Sequence, residues 1–235
     1  MRKKLLHRSA LTVESGEAVS KGEQTRSLIL ETALEMFGER GYEETTMRAI
    51  AEKAGVALGN TYYHFRSKEH LIQAYYERMH EIHLASCAEL LRKERTLKLR
   101  LLGVMGQILE NVAPYHQFAG ILFKTAADPQ SPLNPFSPES EPARRASVEL
   151  FAEVAQGSKT KIPPDLGAEL PMLLWLYHMG IMLFWIHDDS SGQKRTRRLM
   201  EHTVEIVVKL IQLASLPPMR PLRKSVLNML ADLRE

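Results

Sequence analysis

The stretch from Thr46 to Phe65 constrains the fold of this chain more than any other segment. Between Met47 and Ala54, apolar residues recur at helical spacing. Gly55 then interrupts the pattern, and glycine readily adopts the left-handed backbone conformation that a sharp turn needs. The segment from Leu58 to His64 follows with small and polar side chains. The stretch therefore predicts a helix-turn-helix, in which the first helix packs and the second presents side chains to a groove.

The charge of the chain does not by itself indicate a nucleic-acid partner. Over all 235 residues, 31 Lys and Arg stand against 28 Asp and Glu, for a net charge of +3. Residues 24 to 70 hold six Lys and Arg against seven Glu, for a net charge of −1. Binding to nucleic acid must then depend on where individual cations and hydrogen-bond donors point. The hydrophobic content of 44% supports a large core and excludes disorder throughout the chain.

Cysteine content and apolar segments indicate a cytoplasmic protein that does not span a membrane. The lone Cys87 excludes an internal disulfide and a cysteine-based zinc site, and we interpret it as a small core residue instead of a redox sensor. The N-terminal apolar run breaks at residues 7 to 9, before a signal peptide can form. The most apolar window, Pro171 to Ile186, has 16 residues, whereas a bilayer needs about 20. We therefore expect a buried helix there.

Helical spacing continues along the chain, with no strand pattern and no internal repeat. We predict an all-α protein of about nine helices plus a short C-terminal tail helix. Its first three helices form the helix-turn-helix domain, and a larger helical domain follows. The predicted divisions are a flexible basic arm at 1–22, the helix-turn-helix domain at 23–70, the larger domain at 71–214 and the tail at 215–235. The arm is either a solvated tail or a segment that makes additional contacts to phosphates or the minor groove.

Capping residues and prolines set the expected ends of several helices. The first helix is predicted from Arg26 to Arg40, with Thr25 as its N-cap. Ser67 opens a long fourth helix that joins two bodies. Five prolines lie between Asp128 and Pro142, so this segment is predicted to be an irregular loop.

Residues 25 to 72 resemble the N-terminal domain of the tetracycline-repressor (TetR) family of bacterial transcriptional regulators. The resemblance runs over 48 residues without a gap. It includes Thr-Thr-Met-Arg at the start of the second helix, the Ala-Gly-Val turn, and the run Tyr-Tyr-His-Phe-x-Ser-Lys-Glu. The rest of the chain is similar only in architecture. The resemblance implies a homodimer that binds a palindromic double-stranded DNA operator and releases it when a small-molecule effector enters the C-terminal domain.

The resemblance also implies which residues contact DNA. Thr46 would donate to a phosphate, and Arg48 would reach a phosphate or a base edge. Three residues of the recognition helix, Gly59, Asn60 and Thr61, would face bases or approach the backbone closely. The side chains expected to hold phosphates are Tyr63, His64 and Lys68, and Tyr62 would be partly a groove residue and partly a packing one.

Two positions of the recognition helix depart from the commonest pattern of the family. Ala57 stands where Ser or Thr usually caps the helix, which forfeits about 1 kcal/mol of capping. Thr61 stands where many members carry Leu or Ile, so it either reads a base or fills a small space. Asn60 can pair with adenine, and the methyl group of Thr61 can contact thymine. Asn60 is otherwise a solvent-exposed polar residue.

The larger domain is expected to hold an apolar pocket and a dimer interface. Pockets in helical bundles form between facing helices and need mainly apolar walls with a few polar groups. The residues expected to line this pocket, for a hydrophobic or aromatic effector, are Asn111, His116, Phe118, Trp175, His178 and Met182. The residues expected in the dimer interface, if their helix faces are not internal, are Leu174, Ile181, Trp185, Leu199, Thr203, Ile206 and Leu210.

Other classes of function have less support in the sequence. An enzyme that keeps the helix-turn-helix as an interaction module would need catalytic motifs, and the chain has no glycine-rich phosphate loop and no Gly-x-Ser-x-Gly. The run from His187 to Asp189 contains possible metal ligands, but adjacent residues diverge on a helix, so we predict a helix end and no metal or cofactor. A regulator that acts by protein contact remains the alternative.

Overall fold

The computed structural model of the protein describes residues 20 to 232. Within that range the chain forms ten α-helices and no β-strand, which confirms the all-α prediction of nine helices and a tail helix. The helices are α1 Lys21–Arg40, α2 Met47–Ala54, α3 Leu58–His64, α4 Lys68–Lys93, α5 Leu97–Val112, α6 His116–Ala126, α7 Glu141–Gln156, α8 Pro164–Ile186, α9 Lys194–Ala214 and α10 Arg220–Asp232. Most of the predicted basic arm lies outside the described residues.

The first helix begins earlier than predicted. Ser20 is its N-cap, and the Ser20 hydroxyl accepts a hydrogen bond from the Glu23 backbone N–H while the Glu23 carboxylate accepts one from the Ser20 N–H. This reciprocal capping box satisfies two N–H groups that a helix end otherwise leaves unpaired. Thr25 is therefore inside α1, where its hydroxyl donates to the Lys21 carbonyl, and residues 20 to 22, which the prediction assigned to the arm, form the N-cap and first residues of α1.

The helix-turn-helix contributes its apolar residues to one core that continues into the rest of the chain. Phe37 and Ile29 of α1 meet Ile50 of α2, and all three are fully buried. Phe65, directly after α3, is 2% exposed and closes this core, with the Arg26 guanidinium over its ring. Burial of this kind contributes about 1.5–3 kcal/mol for each large apolar side chain. The core fixes how α3 is presented to solvent.

The remaining helices form the larger body, with α4 as the element shared by both parts. Helix α4 packs on α1 at its start and on α5 and α7 further along, while α8 packs on α7 and α9 packs on α5. The buried Arg100 of α5 fastens the far end, because its guanidinium donates to backbone carbonyls at the ends of α4 and α7, those of Leu91, Glu94, Glu153 and Val154. Charged donors of this type satisfy carbonyls that the helix ends leave free.

Helix α8 is the most apolar helix and is only partly covered. It has 23 residues and is long and apolar enough to cross a membrane by length and composition, and 33% of its most apolar window is buried within the protomer. Leu176, Leu183 and Phe184 are each more than 40% exposed. The prediction of a buried helix is thus correct for only one face of α8, and its other face is apolar and open.

Candidate DNA-binding surface and apolar cavity

The turn between α2 and α3 depends on Gly55. Its backbone has φ +68° and ψ 30°, the left-handed region in which side chains are strained, and its N–H reaches the carbonyls of Ala51 and Glu52. Thr46 caps the other end of α2, where its hydroxyl accepts a hydrogen bond from the Ala49 N–H at 3.2 Å. The Thr46 O–H is still available to donate to a phosphate, and Arg48 is exposed beside it.

Helix α3 presents an uncharged surface. Ala57 provides no side-chain cap, as the sequence indicates, and the exposed residues of the helix include Gly59 and Asn60. Tyr62 is 47% exposed and Tyr63 is 83% exposed, and the ring of Tyr63 lies 5.1 Å from that of His64, which is half-buried. An exposed tyrosine of this kind presents both a ring and a hydroxyl group to a partner.

Thr61 does not lie on this surface. It is fully buried, and its hydroxyl faces the carbonyl of Ala57 at 3.4 Å, one turn earlier in the same helix. Because residues one position apart on a helix point about 100° apart, Thr61 faces the core while Asn60 and Tyr62 face outward. The structure corrects the prediction that Thr61 faces bases and supports the alternative that it fills a small space.

Lys68 holds the helix-turn-helix together. Its ammonium group donates to the carbonyl of Tyr42 at 2.7 Å and to that of Glu43 at 3.3 Å, and it lies 4.3 Å from the centre of the Tyr42 ring. The Tyr42 hydroxyl in turn donates to Glu69 at 2.7 Å. Burial and this carboxylate raise the pKa of Tyr42, so the hydroxyl stays protonated. A phosphate can receive only the third N–H of Lys68 without breaking these contacts.

A cavity of about 310 Å³ lies inside the larger body, between α4, α5, α6, α7 and α8. Four of the six residues predicted for a pocket line it, namely Phe118, Trp175, His178 and Met182. Its volume is in the range of small-molecule sites, and its wall is mainly apolar. The cavity is the candidate effector site.

The other two predicted pocket residues do not line the cavity. The amide of Asn111 donates to the Ser86 hydroxyl at 3.2 Å and accepts from Gln107. His116 is hydrogen-bonded through Nε2 to the Trp185 carbonyl at 2.8 Å, and its ring lies edge-on to the Trp185 indole. Both side chains pair with neighbouring elements and are not available to a ligand, which periodicity alone could not reveal.

One face of α4 supplies cavity residues that are not among those predicted from the sequence. These residues lie one helical turn apart in two rows, which are Tyr75, Met79 and His83, and Tyr76 and His80. Their spacing is the signal that could have found them, because residues three and four apart share a face of a helix. Since α4 also follows α3 directly, the helix connects the cavity wall with the helix-turn-helix.

Two histidines of the cavity wall are neutral at physiological pH. Burial, with a smaller contribution from the charge of His80, lowers the pKa of His83 to about 4. Burial, with a smaller contribution from His83, likewise lowers the pKa of His178 to about 4. The Cys87 thiol lies 3.5 Å from Nδ1 of His83, and burial raises the pKa of Cys87 to about 11. Cys87 is therefore a buried, unreactive thiol, as a small core residue should be.

The cavity touches the helix-turn-helix through an aromatic contact. Phe118 of α6 lines the cavity, and its ring stacks on Phe37 of α1 with a centroid distance of 5.9 Å and an interplanar angle of 10°. Tyr75 of α4 meets the edge of the same Phe118 ring at 5.8 Å. A ligand that moves Phe118 therefore acts on the helix that carries the α2–α3 unit.

The predicted dimer residues divide into two groups. Leu174, Ile181 and Trp185 are at most 4% exposed, so they belong to the core of one protomer and not to an open interface, which corrects those three predictions. On α9, Leu199 and Thr203 are half-buried, and the Thr203 hydroxyl lies 2.6 Å from that of Tyr177. Ile206 and Leu210 are 56% and 57% exposed. The open face of α8 is a different one from the predicted row, at Leu176, Leu183 and Phe184.

The run from His187 to Asp189 ends α8, as predicted, and holds the start of α9. Asp188 accepts hydrogen bonds from the N–H and hydroxyl of Ser190 and of Thr196, and these bonds lower the pKa of its carboxyl despite its burial. The neighbouring Arg195 pairs with Asp189. Among residues 20 to 232, no group of three His, Cys, Asp or Glu side chains is placed to bind a metal ion.

An outward helix-turn-helix, joined to a larger helical body with a mainly apolar cavity, is the architecture of a DNA-binding regulator. The family model described as "Bacterial regulatory proteins, tetR family" matches residues 29–75, and that described as "Tetracyclin repressor-like, C-terminal domain" matches residues 100–229. The chain belongs to the TetR family of transcriptional regulators, which are DNA-binding proteins and not enzymes.

Individual relatives are similar over different parts of the chain. The HTH-type transcriptional regulator TtgR of Pseudomonas putida is 43% identical over 63 residues, which are 27% of this chain and 30% of TtgR. The repressor KstR2 of Mycolicibacterium smegmatis is 44% identical over 48 residues, 20% of this chain and 23% of KstR2. A TetR regulator from Nitrosomonas europaea shares the fold, with a TM-score of 0.61, 17% identity, and coverage of 78% of this chain and 97% of its own.

Proposed function

We propose that this protein is a cytoplasmic, homodimeric repressor that binds a palindromic operator and releases it when a small, mainly apolar effector fills the cavity. The observation that carries the proposal is the stacking of Phe118, a cavity residue, on Phe37 of the helix-turn-helix. In this proposal residues 23–70 form the DNA-binding domain, 71–214 the effector and dimerisation domain, and 215–235 a tail. Residues 21 and 22, which begin α1, also belong to the DNA-binding domain in this proposal.

The proposed dimer buries the open faces of α8 and α9 in a four-helix bundle. On α8, Leu176, Gly180 and Leu183 lie at positions i, i+4 and i+7. Apart from the adjoining residues and backbone of α8 itself, no atom of residues 20 to 232 lies within 4 Å of a Cβ built on Gly180. On α9, three exposed apolar residues share the same spacing, namely Ile206, Leu210 and Leu213. Adjacent apolar stripes of this length favour burial against a second copy.

A charge on this face tests the dimer. Leu210→Glu places a carboxylate in the middle of the proposed bundle and should convert the dimer to a monomer in sedimentation-velocity experiments. Leu84→Glu is the matched control, because Leu84 is a 40% exposed leucine on α4, outside the face. A Leu210→Glu protein that remains a dimer would contradict this interface.

The proposed DNA contacts combine two kinds of residue. Thr46, Tyr63 and His64 supply hydrogen-bond donors for phosphates, while Arg48 supplies the Lys or Arg side chain that α3 lacks. Asn60 is the proposed base reader, with adenine as the base that its amide can pair with. With so few cations, specificity and affinity depend on hydrogen bonds, while the phosphate contacts set the register.

Release is proposed to run through α6 and α1. An effector that fills the cavity displaces Phe118, and the stacked Phe37 transfers the displacement to α1 and to the α2–α3 unit that packs on it. Two helix-turn-helix units can bind successive major grooves only when they are separated by about one helical turn of DNA, roughly 34–36 Å. A change in the tilt of α1 therefore weakens the binding of the dimer without unfolding either unit.

The test combines operator selection with effector titration. Binding sites selected from random duplex DNA should be palindromic, and footprinting should protect both halves. Phe37→Leu should retain DNA binding, because it keeps the core apolar, but should reduce the response to an effector, because it removes the ring contact. Met36→Leu, at a position 1% exposed in the same helix, is the matched control and should respond normally. A normal response in Phe37→Leu would refute this route.

A further inference from the structure

The composition of the cavity wall argues against a cationic ligand. Most of the wall is apolar or aromatic, from Phe118 and Leu122 on α6 to Trp175 and Met179 on α8. Among the described residues that line it, none is Asp or Glu. A buried ammonium group would therefore lose its hydration without meeting a counter-charge, which costs several kcal/mol.

The same wall offers little to an anionic ligand. Arg144 is the only Lys or Arg among the described lining residues, and its Nη1 donates to the carbonyls of Pro135 at 2.6 Å and Ser137 at 3.3 Å. These bonds hold the loop before α7. Three histidines line the wall: burial lowers the pKa of His80, and it lowers that of His83 and His178 to about 4, so these two are neutral at pH 7. Only Nε and Nη2 of Arg144 are left to pair with a carboxylate, and the other lining residues offer it no Lys or Arg.

One polar atom of the wall lacks a partner. Nδ1 of His178 is the only buried side-chain nitrogen or oxygen among the described residues that has no hydrogen bond, and the ring lies against Phe151 at a centroid distance of 5.6 Å. An unpaired buried polar group costs about 1–3 kcal/mol, so it is rarely retained without a role. The torsion that rotates an imidazole ring is soft, so a small rotation can turn this nitrogen to the cavity that the residue lines.

We propose that the effector is a neutral, mostly apolar molecule with one O–H or N–H group, which it donates to His178. The inference rests on the proposed function, because it names the class of ligand that the cavity accepts. A neutral imidazole accepts at one ring nitrogen and donates at the other, so a ligand donor satisfies the unpartnered atom. Binding thereby satisfies the unpaired nitrogen of His178. The free energy gained adds to that from burial of the apolar part of the ligand.

The volume of the cavity guides the choice of probe. About 310 Å³ corresponds to roughly ten water molecules at about 30 Å³ each, enough for one ring and a short alkyl chain. para-Hexylphenol has this shape and one hydroxyl donor, and it is neutral at pH 7 because phenols ionise near pH 10. para-Hexylanisole has the same ring and chain but no donor. para-Hexylbenzoate replaces the donor with a negative charge.

Binding can be measured without DNA. The chain has two tryptophans, and both Trp175 and Trp185 line the cavity, so a bound probe should change their fluorescence. We expect the phenol to bind about tenfold more tightly than the anisole, the effect of one hydrogen bond to a buried group. His178→Phe should abolish this tenfold preference, while His178→Gln, which keeps an acceptor, should retain part of it.

The matched control is His70→Phe, which changes an exposed histidine of α4 outside the cavity wall and should keep the full preference for the phenol. Because the phenol and the anisole are compared within each variant, a general loss of stability does not affect the ratio, and circular dichroism confirms folding. Equal affinity of the two probes for the native protein, tighter binding of the benzoate, or no response to the phenol would each overturn the proposal.

A second measurement separates this inference from the proposed function. The phenol is added to the protein bound to a fluorescent operator, and release is followed by anisotropy. If the phenol binds with the predicted dependence on His178 but leaves the operator bound, the class of ligand stands and effector-driven release fails. If it releases the operator with no preference over the anisole, release stands and the role of His178 fails.

Discussion

The surface of α3 and the wall of the cavity are built in opposite ways. Tyr63 on α3 is 83% exposed, whereas Phe118 and Trp185 in the cavity wall are 4% and 1% exposed. A side chain that faces solvent needs to match only its partner, whereas a buried one must also fit its neighbours. We therefore expect substitutions on α3 to change DNA binding at constant stability, and substitutions in the wall to change stability and ligand binding together.

The largest effect is expected at Phe118, which belongs to the wall and also contacts the helix-turn-helix. Phe118→Ala removes a buried ring between Phe37 and Tyr75 and should lower the free energy of unfolding by about 3–5 kcal/mol. Urea denaturation at fixed protein concentration measures this change. If the loss is below about 1 kcal/mol, the two regions are not joined through this ring.

Phe136→Ala is the control for Phe118→Ala. Phe136 lies in the loop before α7, is 65% exposed, and meets the edge of Trp175 at 5.6 Å. The same change of side chain should cost less than about 1 kcal/mol there, because most of the ring is already in water.

A pH dependence of intermediate size is expected from the cavity wall. The pKa of His83 and that of His178 are about 4 in the folded protein, whereas the ordinary value of 6.5 applies when the chain unfolds. Between these values the unfolded chain binds more protons, so stability is full above about pH 6.5 and falls as the pH drops towards 4. Each histidine should remove on the order of 3 kcal/mol over this window.

His178→Phe isolates one of these two contributions. Its free energy of unfolding should fall less steeply between pH 6.5 and pH 4 than that of the native protein, by about one proton at the steepest point. His70→Phe, at an exposed position of α4, should leave the slope unchanged. Equal slopes for the native protein and His178→Phe would show that water reaches His178 in the folded state.

On the exposed surface of α3, Tyr63→Ala should weaken operator binding about ten- to a hundredfold. It should leave the free energy of unfolding within about 0.5 kcal/mol of that of the native protein. Because tyrosine is neutral, the slope of log affinity against log salt concentration should not change, whereas Arg48→Ala should reduce it by about one. Fluorescence anisotropy at several salt concentrations measures both. Loss of stability without loss of affinity would assign Tyr63 to packing.

The sequence predicts the helix-turn-helix well because its determinants are local. The turn depends on the conformational freedom of Gly55, and the start of α2 depends on the hydroxyl of Thr46, each acting on residues within one turn of itself. The start of α1 was placed at Thr25 because a threonine can cap a helix, but Ser20 has Glu23 three residues later and forms a better cap.

The cavity and the dimer face are predicted only in part because both depend on contacts between distant helices. Nothing in the sequence distinguishes the role of His116 from that of His178. In the structure Nε2 of His116 is hydrogen-bonded to the Trp185 carbonyl on α8, whereas Nδ1 of His178 has no hydrogen-bond partner. Trp185 and Phe184 are adjacent apolar residues of one helix, and a rotation of that helix by one residue decides which is buried. Apolar spacing locates a face, but packing decides what covers it.

Substitution of Thr61 is expected to have the smallest effect. It tests most directly whether burial separates core residues of α3 from those that contact DNA. Thr61 lies in the recognition helix but is buried like a wall residue, so Thr61→Val, which keeps the shape, should change operator affinity by less than about threefold and select the same sequence. Asn60→Ala, at the exposed neighbouring position, should lose about 1–3 kcal/mol of discrimination at one base pair. If Thr61→Val altered the preferred sequence, α3 would have to rotate on the DNA and expose a side chain that the free protein buries. The core of the helix-turn-helix would then be part of the reading surface.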